Sequence, residues 1–333
     1  MIVRYVKLTA KKKKGKWNIS TELYDITEYV ASLNWGGSSD EVARKVEISL
    51  VNPTTDPHTK RVTLKLGSMI YLYDDNKKEI FRGYIVDREM GSSSETVSYT
   101  AYDLLYYTLK SKATYNFKKK TPEDITTTVC KDMKIAVGKA SKTGKKYNLL
   151  MKDKSIYDII MAGYTKAKQS TGDKYHIITK QGKLYVTKMG DEWFTLELSE
   201  KSNIISSSTK ESLSEVVNKV NIYDDNGKLI KVVKNEESIV KYGIFQHIYT
   251  KEKDKDPNNS AKAMLKDISR TMEIECIGYV GCITGKCIKL KDTTTGNEGK
   301  FYVTADTHTW QDGVHTMRLS LSLTNAMDTV SSD

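Results

Sequence analysis

The stretch Phe301–Leu323, FYVTADTHTWQDGVHTMRLSLSL, constrains the fold of this chain more than any other part of it. Asp312-Gly313 is a pair that accepts positive φ at both positions, as a tight two-residue hairpin turn requires. Beyond it, Met317, Leu319, Leu321 and Leu323 alternate with Thr316, Arg318, Ser320 and Ser322. Period two means one buried face and one wet face. The turn also fixes the register, with Trp310 opposite His315 and Thr309 opposite Thr316. A long amphipathic strand of this kind completes a sheet or a barrel.

The first hundred residues read the same way. Ile2–Leu8 and Val30–Trp35 alternate, and Val42, Val46, Ile48 and Leu50 share a face across a turn at Gly36-Gly37-Ser38-Ser39-Asp40. Arg44 falls on that apolar face, so it lies at a rim or is paired. Ser68–Tyr73 and Glu79–Asp87 flank Asp74-Asp75-Asn76, and Val97–Tyr102 follows. Six strands with short turns suggest a small barrel or sandwich. After Asp103 the texture changes. Asp103-Leu-Leu-Tyr-Tyr reads as a short helix. Thr121-Pro122-Glu123-Asp124 is a capped helix start that leads into Ile125, Val129, Cys130 and Met133 at helical spacing. Ser155 opens a second helix with Ile156, Ile159 and Ile160 inward. A hairpin at Tyr175–Lys188 turns at Lys180-Gln181-Gly182. A second β-rich block begins near Ser206, with strands Val216–Tyr223 and Lys228–Val233, a loop at Lys251–Ser260, a helix at Ala261–Met272 and strands from Ile274 onward. Tyr73-Asp-Asp-Asn recurs as Tyr223-Asp-Asp-Asn, a hint of two related barrels that shared turn chemistry also explains. The reading is a β-rich α+β fold: a first β-barrel domain over 1–103, an α+β middle region over 104–205, and a second β-barrel domain with one helix over 206–333.

Composition narrows the function classes. A length of 333 residues suits two or three domains. The net charge of +11 raises an anionic partner as an option. The lysines are spread along the chain, however, and the densest run, Lys11–Lys14, reads as a solvated loop. The 21 tyrosines against 5 phenylalanines fit half-buried sheet positions and interfaces. Cys130, Cys276, Cys282 and Cys287 form no CxxC pair, so no zinc knuckle is expected, and Cys276, Cys282 and Cys287, in apolar strand-like text, read as small buried thiols. No apolar run approaches membrane-spanning length and no signal peptide opens the sequence, so no membrane insertion is expected.

Little here does chemistry. His308 and His315 lie on one side of the terminal hairpin, but catalytic zinc needs three protein ligands and no third is nearby. Packing and hydrogen bonding beside Trp310 is the better reading; Asp306 is free to orient an imidazole, whereas Asp312 belongs to the turn. Glu192 with Glu197, and Asp74 with Asp75, are chance pairs of acids. No GxSxG, P-loop, HExxH or Rossmann glycine pattern occurs. The expectation is no enzyme, no metal and no cofactor.

In order and spacing the motifs resemble the XkdQ/YqbQ family of prophage tail proteins, relatives of the baseplate hub of contractile tails. The resemblance rests on Leu33-Asn34-Trp35-Gly36-Gly37 with Ala43-Arg44-Lys45-Val46, on Ala101-Tyr102-Asp103-Leu104-Leu105 leading to Tyr115-Asn116-Phe117, and on Ser155-Ile156-Tyr157-Asp158-Ile159-Ile160 with Gly182-Lys183-Leu184-Tyr185. It closes on Thr307-His308-Thr309-Trp310 and His315-Thr316-Met317. The residues that carry it are Trp35, Gly36, Arg44, Tyr102, Asp103, Tyr157, Asp158, His308, Trp310, His315 and Met317, all of them structural. The resemblance implies a homotrimeric hub with two tube-like barrels per chain, so that three chains present six similar positions. It implies tail tube, central spike, LysM-type tail, other baseplate and tape measure proteins as partners, and DNA only as transient cargo of the lumen. It places the protein in the baseplate of a virion or tail particle assembled in the host cytoplasm. The competing readings are a nucleic-acid-binding multi-barrel protein and a cell-wall hydrolase or glycan-binding tail component.

Overall fold

The computed structural model describes residues 1–13, 16–52, 62–92, 94–189, 196–252, 256–324 and 327–330. The chain opens with the hairpin β1 (Ile2–Lys13) and β2 (Lys16–Asp25), then β3 (Val30–Ser38), β4 (Lys45–Val51), β5 (Met69–Tyr73), β6 (Glu79–Glu89) and β7 (Thr96–Tyr102). Next come α1 (Leu105–Lys110), β8 (Lys112–Lys120), α2 (Pro122–Asp132), β9 (Val137–Ala140), β10 (Tyr147–Ser155), α3 (Ile156–Thr171), β11 (Tyr175–Lys180) and β12 (Lys183–Lys188). The rest is β13 (Glu197–Ser199), β14 (Ile204–Ser212), β15 (Lys219–Tyr223), β16 (Leu229–Lys234), α4 (Glu236–Tyr242), β17 (Gln246–Thr250), α5 (Pro257–Met264), β18 (Ser269–Ile277), β19 (Cys287–Asp292), β20 (Asn297–Gln311) and β21 (Val314–Ser322). Strands dominate, as the period-two text at both ends requires. No helix among the described residues is long and apolar enough to cross a membrane.

Contacts divide the chain into residues 1–207 with 274–333, and residues 208–273. These boundaries follow packing, whereas those at 103/104 and 205/206 follow sequence texture. The packing has a simple cause. The main sheet runs β14-β18-β21-β20-β3-β4-β7-β6-β5-β1-β2, with β19 and β13 attached through β20. The strand β20 pairs antiparallel with β3, so the terminal hairpin and the first strands form one sheet. Its inward faces are those alternation dictates: Val46, Ile48 and Leu50 on β4, and Met317, Leu319 and Leu321 on β21, are all buried. Leu323 breaks the expected series. It lies one residue beyond β21 and is exposed.

Residues 104–189 form the α+β module. In α2 the Thr121 hydroxyl accepts from Asp124 N–H, and the Asp124 carboxylate accepts from Thr121 N–H, a reciprocal capping box with Pro122 behind it. Replacing Thr121 with Ala is expected to cost about 1 kcal/mol, read as a lower urea midpoint with unchanged slope. Ser155 caps α3 through Asp158 N–H, and Ile156, Ile159 and Ile160 are fully buried. The three-stranded sheet β11-β12-β9 flanks this helical core.

The unit 208–273 carries its own sheet, β16-β15-β17, with α5 on one face against Val220, Ile222 and Tyr249. One expectation is corrected here. The helix expected at Ala261–Met272 is α5, which starts earlier at Pro257 under an Asp256 cap, and β18 takes residues 269–277. The Tyr-Asp-Asp-Asn recurrence is one turn made twice. In each, the first Asp carboxylate accepts from the Lys N–H four residues on, at 2.8 Å. The two turns serve different sheets, joining β5 to β6 and β15 to β16, so turn chemistry alone accounts for the recurrence.

Two further readings shift. Lys11–Lys13 belong to β1, which pairs with β2 along its length, so the basic run is a hairpin rather than a plain loop; Lys14 lies outside the described residues. Gly36 and Gly37 are part of β3, not a turn. Glu192 lies outside the described residues, as do residues 253–255 of the loop read at Lys251–Ser260.

Candidate functional site

The junction of β3 and β20 is where the sequence motifs converge. In register, Trp35 faces His308, Gly36 faces Thr307 and Gly37 faces Asp306. Gly36 is there because the strands approach closely: a Cβ at this position would lie 2.4 Å from the Asp306 carbonyl oxygen. We expect Gly36→Ala to separate the two strands locally and destabilise the protein by roughly 1–3 kcal/mol, with faster amide exchange along β3 as the readout.

Arg44 enters from the loop before β4. Its two terminal nitrogens donate to the two Asp306 carboxylate oxygens at 2.9 and 2.6 Å. Its guanidinium carbon lies 4.4 Å from the Trp35 ring centre, a cation–π contact. Asp306 also accepts from Thr284 N–H at 2.6 Å. The Thr284 hydroxyl is within reach of Asp306 Oδ1 (2.7 Å) and Gly37 O (2.8 Å), with one proton to give. Burial by itself pushes the Asp306 carboxyl up, but the Arg44 charge and these hydrogen bonds outweigh it and hold the group below the usual carboxylate range. Asp306 is fully buried and Arg44 is partly buried, its side chain 18% exposed. The arginine on the apolar face is therefore paired.

Beside this ion pair sit the two histidines. His308 Nε2 is 3.0 Å from the Cys282 carbonyl oxygen, which only accepts, so Nε2 carries the proton. His308 Nδ1 is then bare and accepts from His315 Nε2–H across 3.1 Å. Burial pushes both imidazoles down to about 4, and the pair's mutual repulsion adds to this for His315. His308 lies 3.5 Å from Asp306 Oδ2, but a neutral ring makes no ion pair there at pH 7. His315 stacks on Trp310 at 4.0 Å between ring centres and 12° between planes, and the two face each other in the register the turn dictated. Asp312 and Gly313 both have positive φ. Among the described residues no group of three His, Cys, Asp or Glu side chains is arranged to hold a metal ion. The four cysteines are buried and unpaired, and burial pushes the Cys276 and Cys130 thiols up to about 12.

A cavity of about 520 Å³ opens between this seam and the α+β module. Of the residues singled out in the sequence, it brings together Trp35, Arg44, Asp103 and Tyr157. Asp103 is buried and accepts from Leu105 N–H (3.0 Å) and from the Thr179 hydroxyl (2.6 Å), which ties β7 to β11. Burial pushes its carboxyl up to about 6 against those bonds. The Tyr157 hydroxyl donates to Asp328 at 2.8 Å. The others lie outside the cavity lining: Tyr102 stacks on Tyr106, Asp158 sits in the first turn of α3, and Met317 backs His308 across β20 and β21. Sequence reasoning missed Thr284, Thr179 and Asp328, which are isolated polar residues in loops or strand ends with no pattern around them. Asp306 did leave a signal: with His308 it is a polar residue on the inward face of an otherwise apolar strand, after a bulge between Val303 and Ala305.

The arrangement holds strands together. The chain has relatives among known proteins. Two proteins of Bacillus subtilis (strain 168) are similar along most of their length. The uncharacterized protein YqbQ is 26% identical over 298 residues, covering 82% of this chain and 90% of YqbQ. The phage-like element PBSX protein XkdQ is 23% identical over 309 residues, covering 89% and 93%. Among solved structures, the 43 kDa tail protein of prophage MuSo2 from Shewanella oneidensis superposes with a TM-score of 0.71 at 13% identity, over 98% of this chain and all of that one. The E. coli c3393 protein, a type VI secretion component described as similar to the T4 bacteriophage tail proteins gp27 and gp5, superposes with a TM-score of 0.54 at 8% identity, over 91% and 76%. A family model described as YQBQ-like matches residues 33–322, and the chain belongs to that family.

Proposed function

We propose that this chain is a structural baseplate hub protein of a contractile tail. In this reading three copies ring the tail axis, join the hexameric tail tube to the trimeric spike, and line the lumen. The observation that carries it is the β3·β20 seam, which joins two β-rich blocks of one chain into a continuous sheet. We assign the strands of 1–103 to one tube-like domain and those of 206–333 to the other, with 104–205 between them. Three such chains offer six similar blocks, so a sixfold ring and a threefold spike can share one adaptor. Likeness to a prophage tail protein and to a type VI component supports the reading through the fold. The role is carried by surfaces, with no catalysis and no cofactor. Its partners are the tube, spike, LysM-type, tape measure and other baseplate proteins, and DNA passes only as cargo. Assembly takes place in the host cytoplasm.

The experiment is fractionation of tails made with a tagged chain. Tag recovered with tube and spike proteins in intact particles is expected. Tag that stays with free nucleic acid, shifting DNA in a salt-dependent way, favours the nucleic-acid reading. Clearing of cell walls by the purified chain favours the hydrolase.

A further inference from the structure

A second, smaller cavity lies at one end of the inward face of the main sheet. Trp310 is two residues along β20 from His308, so the two share that face, and Trp310 packs at the margin of the core that holds Leu33 and Trp35. His315 stacks on its indole. Three segments close round these two rings: Met1, the β5–β6 turn at Asp74, Asp75 and Asn76, and the loop Gly278–Val280 after β18. Together they frame about 170 Å³. The mouth of a β-sheet core is a common place for a small ligand, and this volume is below that of a site for a drug-sized molecule. It has room for one ring.

The wall is fixed rather than loose. Gly278 N–H donates to His315 O at 2.9 Å, and a Cβ on Gly278 would lie 2.2 Å from the His315 ring, so glycine is what lets the loop lie on the imidazole. His315 gives its Nε2–H to His308, which leaves its Nδ1 with a lone pair. Among the described residues no hydrogen bond reaches that nitrogen, the Trp310 indole N–H or the Asn76 side chain. Trp310 and His315 are half-buried and Asn76 is exposed, and neither ring nitrogen is sealed off as the Trp35 indole nitrogen is. Asp75 Oδ1 accepts from the Met1 amino group, which leaves Oδ2. Tyr279 stands at the rim, 49% exposed.

The cleft therefore offers an N–H donor, an imidazole acceptor, a carboxylate oxygen, an amide and an aromatic ring. Charge narrows the occupant. An anion meets Asp74 and Asp75, and a cation meets the Met1 amino group that Asp75 already holds. A neutral ligand meets neither penalty. Hydroxyl groups both donate and accept, as this mixture of partners requires.

We propose that this cleft binds one neutral sugar residue. One hydroxyl donates to His315 Nδ1 and a second accepts from the Trp310 N–H. A neighbouring hydroxyl lies between Asp75 and Asn76, and the C–H face of the sugar rests on the Tyr279 ring, whose face is electron-rich. A free monosaccharide and the end of a glycan chain carry the same chemistry. The site goes beyond the hub reading and does not depend on it.

The test uses the whole untagged chain. The probes are the methyl glycosides of glucose, galactose and mannose, and N-acetylglucosamine, with acetate and methylammonium as charged controls. The readout is the indole N–H resonance of Trp310 by NMR. At least one sugar is expected to shift it saturably in the millimolar range, and the charged controls are expected to leave it in place. Tyr279→Ala and Asn76→Ala, both at exposed positions, are each expected to weaken that sugar about tenfold, roughly 1.4 kcal/mol. A short oligosaccharide ending in the same residue separates the two sources: tighter binding than the monosaccharide points to a glycan end, and equal or weaker binding to the free sugar. Either answer keeps the proposal. Three results overturn it: no shift from any of the sugars up to about 100 mM, an equal shift from acetate or methylammonium, or a sugar affinity unchanged in both variants. None of them bears on whether the chain sits at a hub.

Discussion

Arg44→Met is expected to lower the unfolding free energy by about 3–5 kcal/mol, because it strands a buried carboxylate without its partner. Asp306 is fully buried, and the two guanidinium bonds are what hold its charged form in place. The Thr284 hydrogen bonds remain, but they supply no compensating positive charge. With Arg44 gone, burial dominates and the Asp306 carboxyl rises, so the loss shrinks as the pH is lowered toward protonation. Replacing both partners, as Arg44→Met with Asp306→Leu, is expected to recover a large part of the loss, since the desolvation cost goes with the charges. Urea denaturation of the three variants gives the coupling directly. A loss under about 1 kcal/mol for Arg44→Met matches an exposed ion pair and contradicts the seam as described.

The second large effect is an acid-side loss of stability through His308. Burial, with the Arg44 charge assisting, holds its folded pKa near 4 against 6.5 for the free side chain; the Asp306 charge and the Cys282 carbonyl oppose this only in part. Above pH 6.5 the ring is neutral in both states and contributes nothing to the pH dependence. Between 6.5 and 4 the unfolded chain takes up a proton that the folded chain refuses. Stability therefore falls as the pH falls, by about 1.4 kcal/mol per unit and on the order of 3 kcal/mol by pH 4. His315 acts in the same direction, less strongly because it is partly exposed. Asp103 acts in the opposite direction: its folded pKa is raised to about 6, so between pH 6 and its unfolded value the folded state binds the extra proton and gains stability. The terms partly cancel in a bulk melting curve. The clean measurement is the titration of the His308 ring by NMR in the folded chain, with a midpoint near 4 expected. A midpoint near 6.5 contradicts the buried, neutral pair.

Alternation and turn chemistry made most strands legible, because both are local. The Trp310–His315 pairing, the positive φ at Asp312 and Gly313, and the capped starts of α2 and α3 follow from a few adjacent residues. The β3·β20 pairing joins residues about 270 positions apart, and no local pattern announces it. Gly36 and Gly37 show the ambiguity well: two glycines read as a turn until the approach of β20 supplies another reason for them. The site was half legible. Arg44 on an apolar face signals a rim or a partner, and Asp306 is free to orient an imidazole, but that Arg44 and Asp306 meet is a tertiary fact. The cavity was not legible, since its lining comes from β3, β11, α3 and loops far apart in sequence.

The central claim is that one continuous sheet from each of three chains builds the hub ring. The most direct measurement is an image of the hub region of an assembled tail at side-chain resolution. Three copies of this chain are expected around the axis, each contributing two β-rich blocks joined at Trp35, Arg44, Asp306 and His308, with tube protein on one side and spike on the other. Six copies in the ring, or a chain placed away from the central axis, contradicts it.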